Sequence, residues 1–508
     1  MSFAAIPIVR HLSVTPTPAQ QRSVEQLAEL LLQDHPELGA IEQWRPHIPG
    51  RLDEGPALHL DDLSEIPLLN GGHDVRFLQD RARLRAGTGD LLASCSEPID
   101  GYEEYCCDQL GLGSVEWLHP EHPVHPLGIA AACWEDRRIR RRLVHQLRSD
   151  ELSYLHPHMG TFGCWELAAL LHGASRRPLH VIAPPPALTS WVNDKVHFAH
   201  AISRLFGEEF VPRTTSAWSL GMLTQHVREL SETSEVIGLK LPNSAGGDGI
   251  AVLDALKFRG RPLHEIHDSL LPVVTRLAWN GDSRLLVDTW ETDVICSPSA
   301  QLWIPPEAEG LPILEGLFVQ QLKDRAGFIG VTAAEFPDPL ATDLATRSWL
   351  VARLFQRLGY IGRCSFDLIL VGEDLANCRL EFIECNGRWG GTSLPMTMMN
   401  RLFGDWRQQP FAVRVMAAQG LDRVAFSGLI EQFPEELYDR RTGQGRLIFY
   451  CPGRMRHQSS LSVLALGSSW TDAADFVSQR MPARLAQACR DAGALLQTDL
   501  QCDPESTR

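Results

Sequence analysis

The run Leu380-Glu381-Phe382-Ile383-Glu384-Cys385-Asn386-Gly387-Arg388-Trp389-Gly390-Gly391-Thr392 carries a carboxylate and an amide two residues apart, then a cation and a glycine pair. Side chains alternate faces along a strand. Glu384 and Asn386 are therefore expected on one face and Glu381 on the other. Two hard oxygen ligands followed by a cation suit Mg²⁺-nucleotide chemistry. Polar residues where a buried strand should stay apolar are the local inconsistency expected at a functional site.

Asp367 is a second such inconsistency, inside the apolar run Ser365-Phe366-Asp367-Leu368-Ile369-Leu370-Val371. A buried carboxylate needs a partner. Mg²⁺ shared with Glu384 and Asn386 would serve, as would a salt bridge to Arg363 or Arg388. Upstream, Ser244 precedes Gly246, Gly247 and Gly249. Backbone without Cβ can turn its N–H groups onto a phosphate, although a tight turn would look the same. No Gly-Lys-Ser/Thr follows, so the loop is not a Walker A. Lys240 ends the strand before it, and Lys195 lies further upstream. Each lysine could be a solvated surface charge, or a point charge for phosphates.

Positioning these groups requires an α/β frame. A helix is expected over residues 20–33, strands over 90–97, 114–118 and 179–182, and a helix over 163–172. Such alternation argues for a mainly parallel sheet. A helix over 191–206 leads to strands at 235–240, 250–253 and 284–288. The arms 364–371 and 379–384 form a hairpin turning at Gly372-Glu373-Asp374. The last hundred residues read as a separate unit. It has strands at 446–450 and 461–466, a Ser469/Asp472 capping box before a final helix, and a disordered tail from Cys502.

The 508 residues suit two to four domains of roughly 100–200 residues, and 44% hydrophobic with 22% charged is an ordinary globular balance. A net charge of −16 argues against coating nucleic acid or an anionic membrane. The 12 cysteines form no paired CxxC motifs. With no signal peptide and no membrane-length apolar run, a cytoplasmic protein with reduced thiols is expected. His119, His122 and His125 are each followed by proline, which disfavours a helical metal site. His156, His158 and Cys164 read as structural, 137–142 as a solvated helix face, and Trp165, Trp191 and Trp218 as core or rim. Gly87-Thr88-Gly89 precedes its strand, so a dinucleotide fingerprint fails.

The order Lys195, Lys240 with its glycine loop, Asp367, then Glu384-x-Asn386-x-Arg388-x-Gly390-Gly391 resembles the ATP-grasp superfamily of ADP-forming carboxylate–amine ligases. The resemblance covers residues 190 to 405. The layout, with 191–195 and 445–454, further resembles the pheganomycin-type peptide ligases. It implies an α/β and α+β multidomain fold. A pre-ATP-grasp α/β layer would span 1–190, a small lobe 191–275, a large lobe 276–405 and an α+β C-terminal domain 406–508. Lys195 and Lys240 would hold the α- and β-phosphates, with Ser244, Gly246, Gly247 and Gly249 folding over the triphosphate. Asp288, Thr289, Trp290 and Glu291 would line the adenine, and Glu291 or Asp293 would meet the ribose. Asp367, Glu384 and Asn386 would hold two Mg²⁺ ions, and Arg388 would steady an acyl phosphate. The catalytic arginine of many relatives lies two residues before the strand aspartate. Here Arg363 lies four before it, which puts its role in question. The implied activity joins a carboxylate to an amine, making a peptide bond in small-peptide or secondary-metabolite biosynthesis. A non-peptide acceptor, carboxylation or a non-catalytic ATP-binding regulator are the rivals, and a homodimer is an assembly open to it.

Overall fold

A computed structural model describes residues 6–52, 55–66, 76–121, 125, 128–244, 249–323 and 327–501, the last nine by backbone alone. Its first sheet holds β1 (Ala57–Leu60), β2 (Leu91–Ala93), β3 (Glu116–Leu118), β4 (Tyr154–Pro157) and β5 (His180–Val181) in the order β3-β2-β1-β4-β5. All its pairings are parallel. Helices Arg137–Arg148 and Phe162–Ser175 supply the crossovers into β4 and β5. β2, β3, β5 and the helix near 163–172 match the sequence reading. β1 and β4 escaped it because each carries a histidine in its apolar run. The first of these, His59, is fully buried and bonds Asp90 at 3.2 Å.

The second sheet is antiparallel: β6 (Thr214–Ala217), β7 (Val236–Lys240), β8 (Ile250–Asp254) and β9 (Leu285–Thr289), ordered β6-β9-β7-β8. Helices Leu220–Ser231 and Leu263–Arg276 bury their apolar stripes beneath it. β7 is central, so Lys240 at its end sits opposite Ile250 of β8 and Leu286 of β9.

The third sheet has nine strands: β10 (Val294–Cys296), β11 (Pro298–Ile304), β12 (Ile313–Lys323), β13 (Gly327–Ala333), β14 (Gly362–Gly372), β15 (Cys378–Asn386), β16 (Phe411–Ala417), β17 (Leu447–Tyr450) and β18 (Ser460–Leu466). The strands of the last hundred residues are not a sheet of their own. β16 pairs with β13 on one side and β18 on the other, continuing the same sheet. A bare β13 would leave an open edge, and pairing closes it. Under the β14–β15 hairpin lie helices Lys195–Phe206 and Asp338–Arg357, where Phe198, Phe355, Phe366 and Phe382 pack ring against ring. Each such ring, fully buried, contributes about 1.5–3 kcal/mol. Among the described residues no helix is long and apolar enough to cross a membrane.

Candidate active site

The hairpin register places Asp367 opposite Glu384 and Ser365 opposite Asn386. It then shifts: Leu368 pairs with Phe382 and Ile369 with Glu381. Ile383 is the extra residue of a β-bulge, and a bulge resets the alternation of faces. Glu381 therefore returns to the face of Asp367 and Glu384, contrary to the period-two expectation. Leu368 and Phe382 share the other face, inside the core. Glu381 bonds Arg379 at 2.9 Å, and Arg379 also pairs with Glu291 at 2.5 Å.

The carboxylates are tightly held. Asp367 Oδ1 accepts from Ser299 Oγ and Gln320 Nε2, and Oδ2 from Asn386 Nδ2, each at 2.8 Å. Burial, then the charge of Glu384, pushes its pKa up to about 6. Burial also pushes on Glu384. Lys195, with Nζ 2.8 Å from Glu384 Oε2, outweighs it together with Arg388 and Lys240, and holds that carboxyl below the usual range. Arg388 donates to Asn386 Oδ1 at 2.6 Å and to Asn193 Oδ1. Gly387 N also donates to Asn193, at 3.1 Å, and a Cβ on Gly387 would lie 2.5 Å from Val192. Helix Pro186–Asn193 thus fixes the turn that aims Arg388. The Arg363 salt bridge considered for Asp367 does not form.

A cavity of about 500 Å³ opens on one side of these carboxylates, with Lys195, Lys240, Thr289, Trp290 and Glu291 in its wall. Asp194 caps helix Lys195–Phe206 by accepting from Val196 N and His197 N, which sets Lys195 at the helix's first position. Lys195 Nζ also donates to the Ser244 carbonyl at 3.3 Å. Lys240 pairs with buried Asp288 at 2.5 Å and lies 5.1 Å from the Trp290 ring centre. Gly238 admits that ring, because a Cβ there would approach Trp290 Cε3 to 2.5 Å. Asp293 is exposed, and its carbonyl accepts from Gly372 N at 3.0 Å. Of the two acids expected near the ribose, Glu291 lines the cavity. Gly249 packs against Ser244 with no room for a Cβ. Gly246 and Gly247 lie outside the described residues, as does His122.

A second cavity, of about 410 Å³, meets the first at Ile250, Gln320, Leu322, Asp367 and Glu384. Asn386, Arg388, Trp389 and His158 line it, with Arg81 and Arg454. His158 had been read as merely structural. Burial, then Arg81, Arg388 and Arg85, keeps its ring well below the usual histidine range, and so neutral. Arg363, expected among the catalytic groups, lies in neither cavity wall. It forms a buried pair with Glu315, donates to Thr397 Oγ1 at 3.3 Å, and rests 4.8 Å from the Trp389 ring centre. Burial drops its pKa to about 9. Ser299, Gln320, Arg81 and Arg454 carry no local sequence signal, since each joins the site only through strand pairing or chain return; Asp288, expected along the adenine, pairs with Lys240.

Among the described residues no group of three or more His, Cys, Asp or Glu could hold a metal ion. The donor set is instead two carboxylates and the Asn386 amide oxygen, which suits a hard divalent cation such as Mg²⁺. Burial first, and then the facing carboxylate of Glu384, disfavours the charged form of Asp367, an arrangement a divalent cation would relieve.

No family model and no curated protein matches the chain. Among solved structures it is similar to N5-carboxyaminoimidazole ribonucleotide synthetase in an ADP complex, at 11% identity and TM-score 0.50, covering 88% of this chain and 98% of that one. It is also similar to N5-carboxyaminoimidazole synthetase from Staphylococcus aureus, at 10% identity and TM-score 0.49 over 85% and 97% of the two chains. The biotin carboxylase domain of Hydrogenobacter thermophilus 2-oxoglutarate carboxylase gives 14% identity and TM-score 0.47 over 83% and 88%. At such identities likeness speaks to fold alone. The parallel sheet, the small antiparallel lobe and the large sheet with its carboxylate hairpin, together with the first of these matches, give this chain the ATP-grasp fold.

Proposed function

We propose that this protein is an ATP-dependent, ADP-forming ligase that activates a carboxylate as an acyl phosphate and joins it to an amine. The observation that carries the reading is the meeting of two cavities at Asp367 and Glu384. One is flanked by lysines and an indole, and the other by Arg388. A nucleotide fits the first, with its base against Trp290, its ribose near Glu291 and its phosphates toward Lys240 and Lys195. The synthetase of the same fold is itself an ADP complex.

Asp367, Glu384 and Asn386 would hold Mg²⁺. Bound there, the ion supplies charge neutralisation between the phosphates and orients the one transferred. The chain's own residues do the rest. Lys195 must release Glu384 to reach a phosphate, so its ion pair is a resting arrangement. Asn193 and Asn386 hold Arg388 at the mouth of the second cavity, where its charge can steady an acyl phosphate and then the oxyanion formed on amine attack. Trp389, buried in the wall of that cavity, would help keep water from the activated acid.

Carboxylation, one of the rival readings of the sequence, would make bicarbonate the acid. The second cavity, about 410 Å³ with leucine, isoleucine and phenylalanine in its wall, favours a larger organic acid. Within that class we favour peptide-bond formation, as the pheganomycin-type resemblance implies. Incubation with ATP, Mg²⁺ and pooled amino acids should release ADP and a condensed product seen by mass spectrometry. AMP with pyrophosphate would sink the acyl-phosphate reading. Dependence on bicarbonate alone would move the assignment to carboxylation.

A further inference from the structure

The wall of the second cavity carries Asp367, Glu384 and Arg388 from the hairpin and two further arginines, Arg81 and Arg454. Arg81 and Asp80 both act on Arg454. The two arginines arrive from distant parts of the chain. Arg81 lies in the 3₁₀ segment Arg76–Leu84, and Arg454 opens the turn Arg454–Gln458. Asp80 ties the two together by accepting from Gly453 N at 2.9 Å.

Their positive charge is incompletely answered. Arg454 donates to the neutral amide of Gln458 at 2.9 Å. Arg81 reaches Asp61 only at 3.4 Å, and Arg85 holds the same carboxylate at 2.6 Å. Burial pushes Asp80 up to about 7, so it neutralises them only in part. Among the described residues Asp367 and Glu384 are the only acids in this cavity's wall, and both are engaged at the hairpin. The wall also carries apolar side chains, Leu63, Ile66, Leu78, Phe328 and Val415, among polar ones such as Ser365, Tyr450 and Ser462.

We propose that the acid substrate of this cavity carries a second anionic group, a carboxylate or a phosphate, held by Arg81 and Arg454. The proposal rests on the ligase reading and names its substrate class. Guanidinium groups recognise either anion through paired N–H donors, and a charged hydrogen bond in a partly buried site is among the stronger polar contacts.

Calorimetric binding to the full chain with ADP and Mg²⁺ tests it. The probes are the α,ω-dicarboxylates from glutarate to suberate, the monocarboxylates of equal length, and ω-phosphonocarboxylates. The best dianion should bind roughly tenfold or more tightly than its monoacid. Whether that dianion is the dicarboxylate or the phosphonate decides which anion the arginines take. Arg454→Gln should remove most of the preference while ADP affinity stays unchanged, and Arg454→Lys should keep part of it. Arg81→Gln should act alike; if loss of its Asp61 pair unfolds that variant, Arg454→Gln decides alone. Equal binding of mono- and diacids, no binding by any dianion, or a preference intact in Arg454→Gln would overturn the proposal. The readout is binding, so a failure to form ADP would count against the ligase reading alone.

Discussion

The two cavities that meet at Asp367 and Glu384 handle charge differently. In the first, each lysine of the wall already has an acid: Lys195 has Glu384 and Lys240 has Asp288. In the second, Arg454 leans on a neutral amide and Arg81 shares its carboxylate with Arg85. Internal pairing keeps a buried lysine charged and in place, but an incoming anion must compete for it. A triphosphate that brings its own divalent cation can do so, because the cation takes up the carboxylates as the phosphates take the lysines. An organic acid brings no such compensation, and a wall with spare positive charge suits it better. On the proposed function, the difference would suit each cavity to a different kind of anion.

The sharpest way to break this contrast is Glu384→Gln. Loss of that carboxylate should lower ADP release by about 10²–10³-fold, with the circular dichroism spectrum and melting temperature retained. Full activity would remove Glu384 from the metal-binding set and the first cavity from the mechanism.

Arg363 tests whether a buried ion pair outside both cavities acts on either. Arg363→Met strands Glu315 in the core and should cost about 3–5 kcal/mol in urea unfolding. The double variant Arg363→Met/Glu315→Leu should recover most of that stability. Activity returning with it makes the pair structural, and a stable but inactive double variant restores the catalytic expectation.

Gly238→Ala addresses the first cavity alone. Its Cβ would drive the Trp290 ring toward the proposed base site, an overpacking of about 1–3 kcal/mol. The KM for ATP should rise roughly tenfold with kcat little changed, and dianion binding in the second cavity should be untouched.

The last effect concerns the anchor between Arg81 and Arg454. Asp80 keeps its proton to about pH 7 when folded, against 3.8 as the ordinary value. Its contribution to stability is therefore full below pH 3.8 and is lost as pH rises toward 7. From pH 5 to 8 the wild type should lose about 2–3 kcal/mol relative to Asp80→Asn in urea titrations. Parallel pH profiles for the two proteins would refute the raised pKa.

Local sequence carried far in places and stopped at identifiable points. The hairpin, Asp367 and the glutamate–amide pair were legible because polar residues interrupt β-rich runs, and the structure brings them face to face. Glu381 was placed on the wrong face because a one-residue bulge at Ile383 leaves no compositional mark. β1 and β4 were hidden by their histidines. The last hundred residues looked independent because strands that complete another sheet have the same pattern as strands that start one.

What the sequence by itself determined is the order of lysines, glycine-rich run, hairpin carboxylates and arginine, an order that resembles the ATP-grasp superfamily and is legible in patterns of a few residues each. Tertiary structure alone decided what surrounds them. Ser299 and Gln320 reach Asp367 through β11 and β12, Asn193 aims Arg388 from a helix almost two hundred residues earlier, and Arg81 meets Arg454 across most of the chain. Periodicity reports which face a residue takes within its own element. Which elements then pack together is set by closing sheet edges and burying apolar faces, a sum over the whole chain that no local pattern contains.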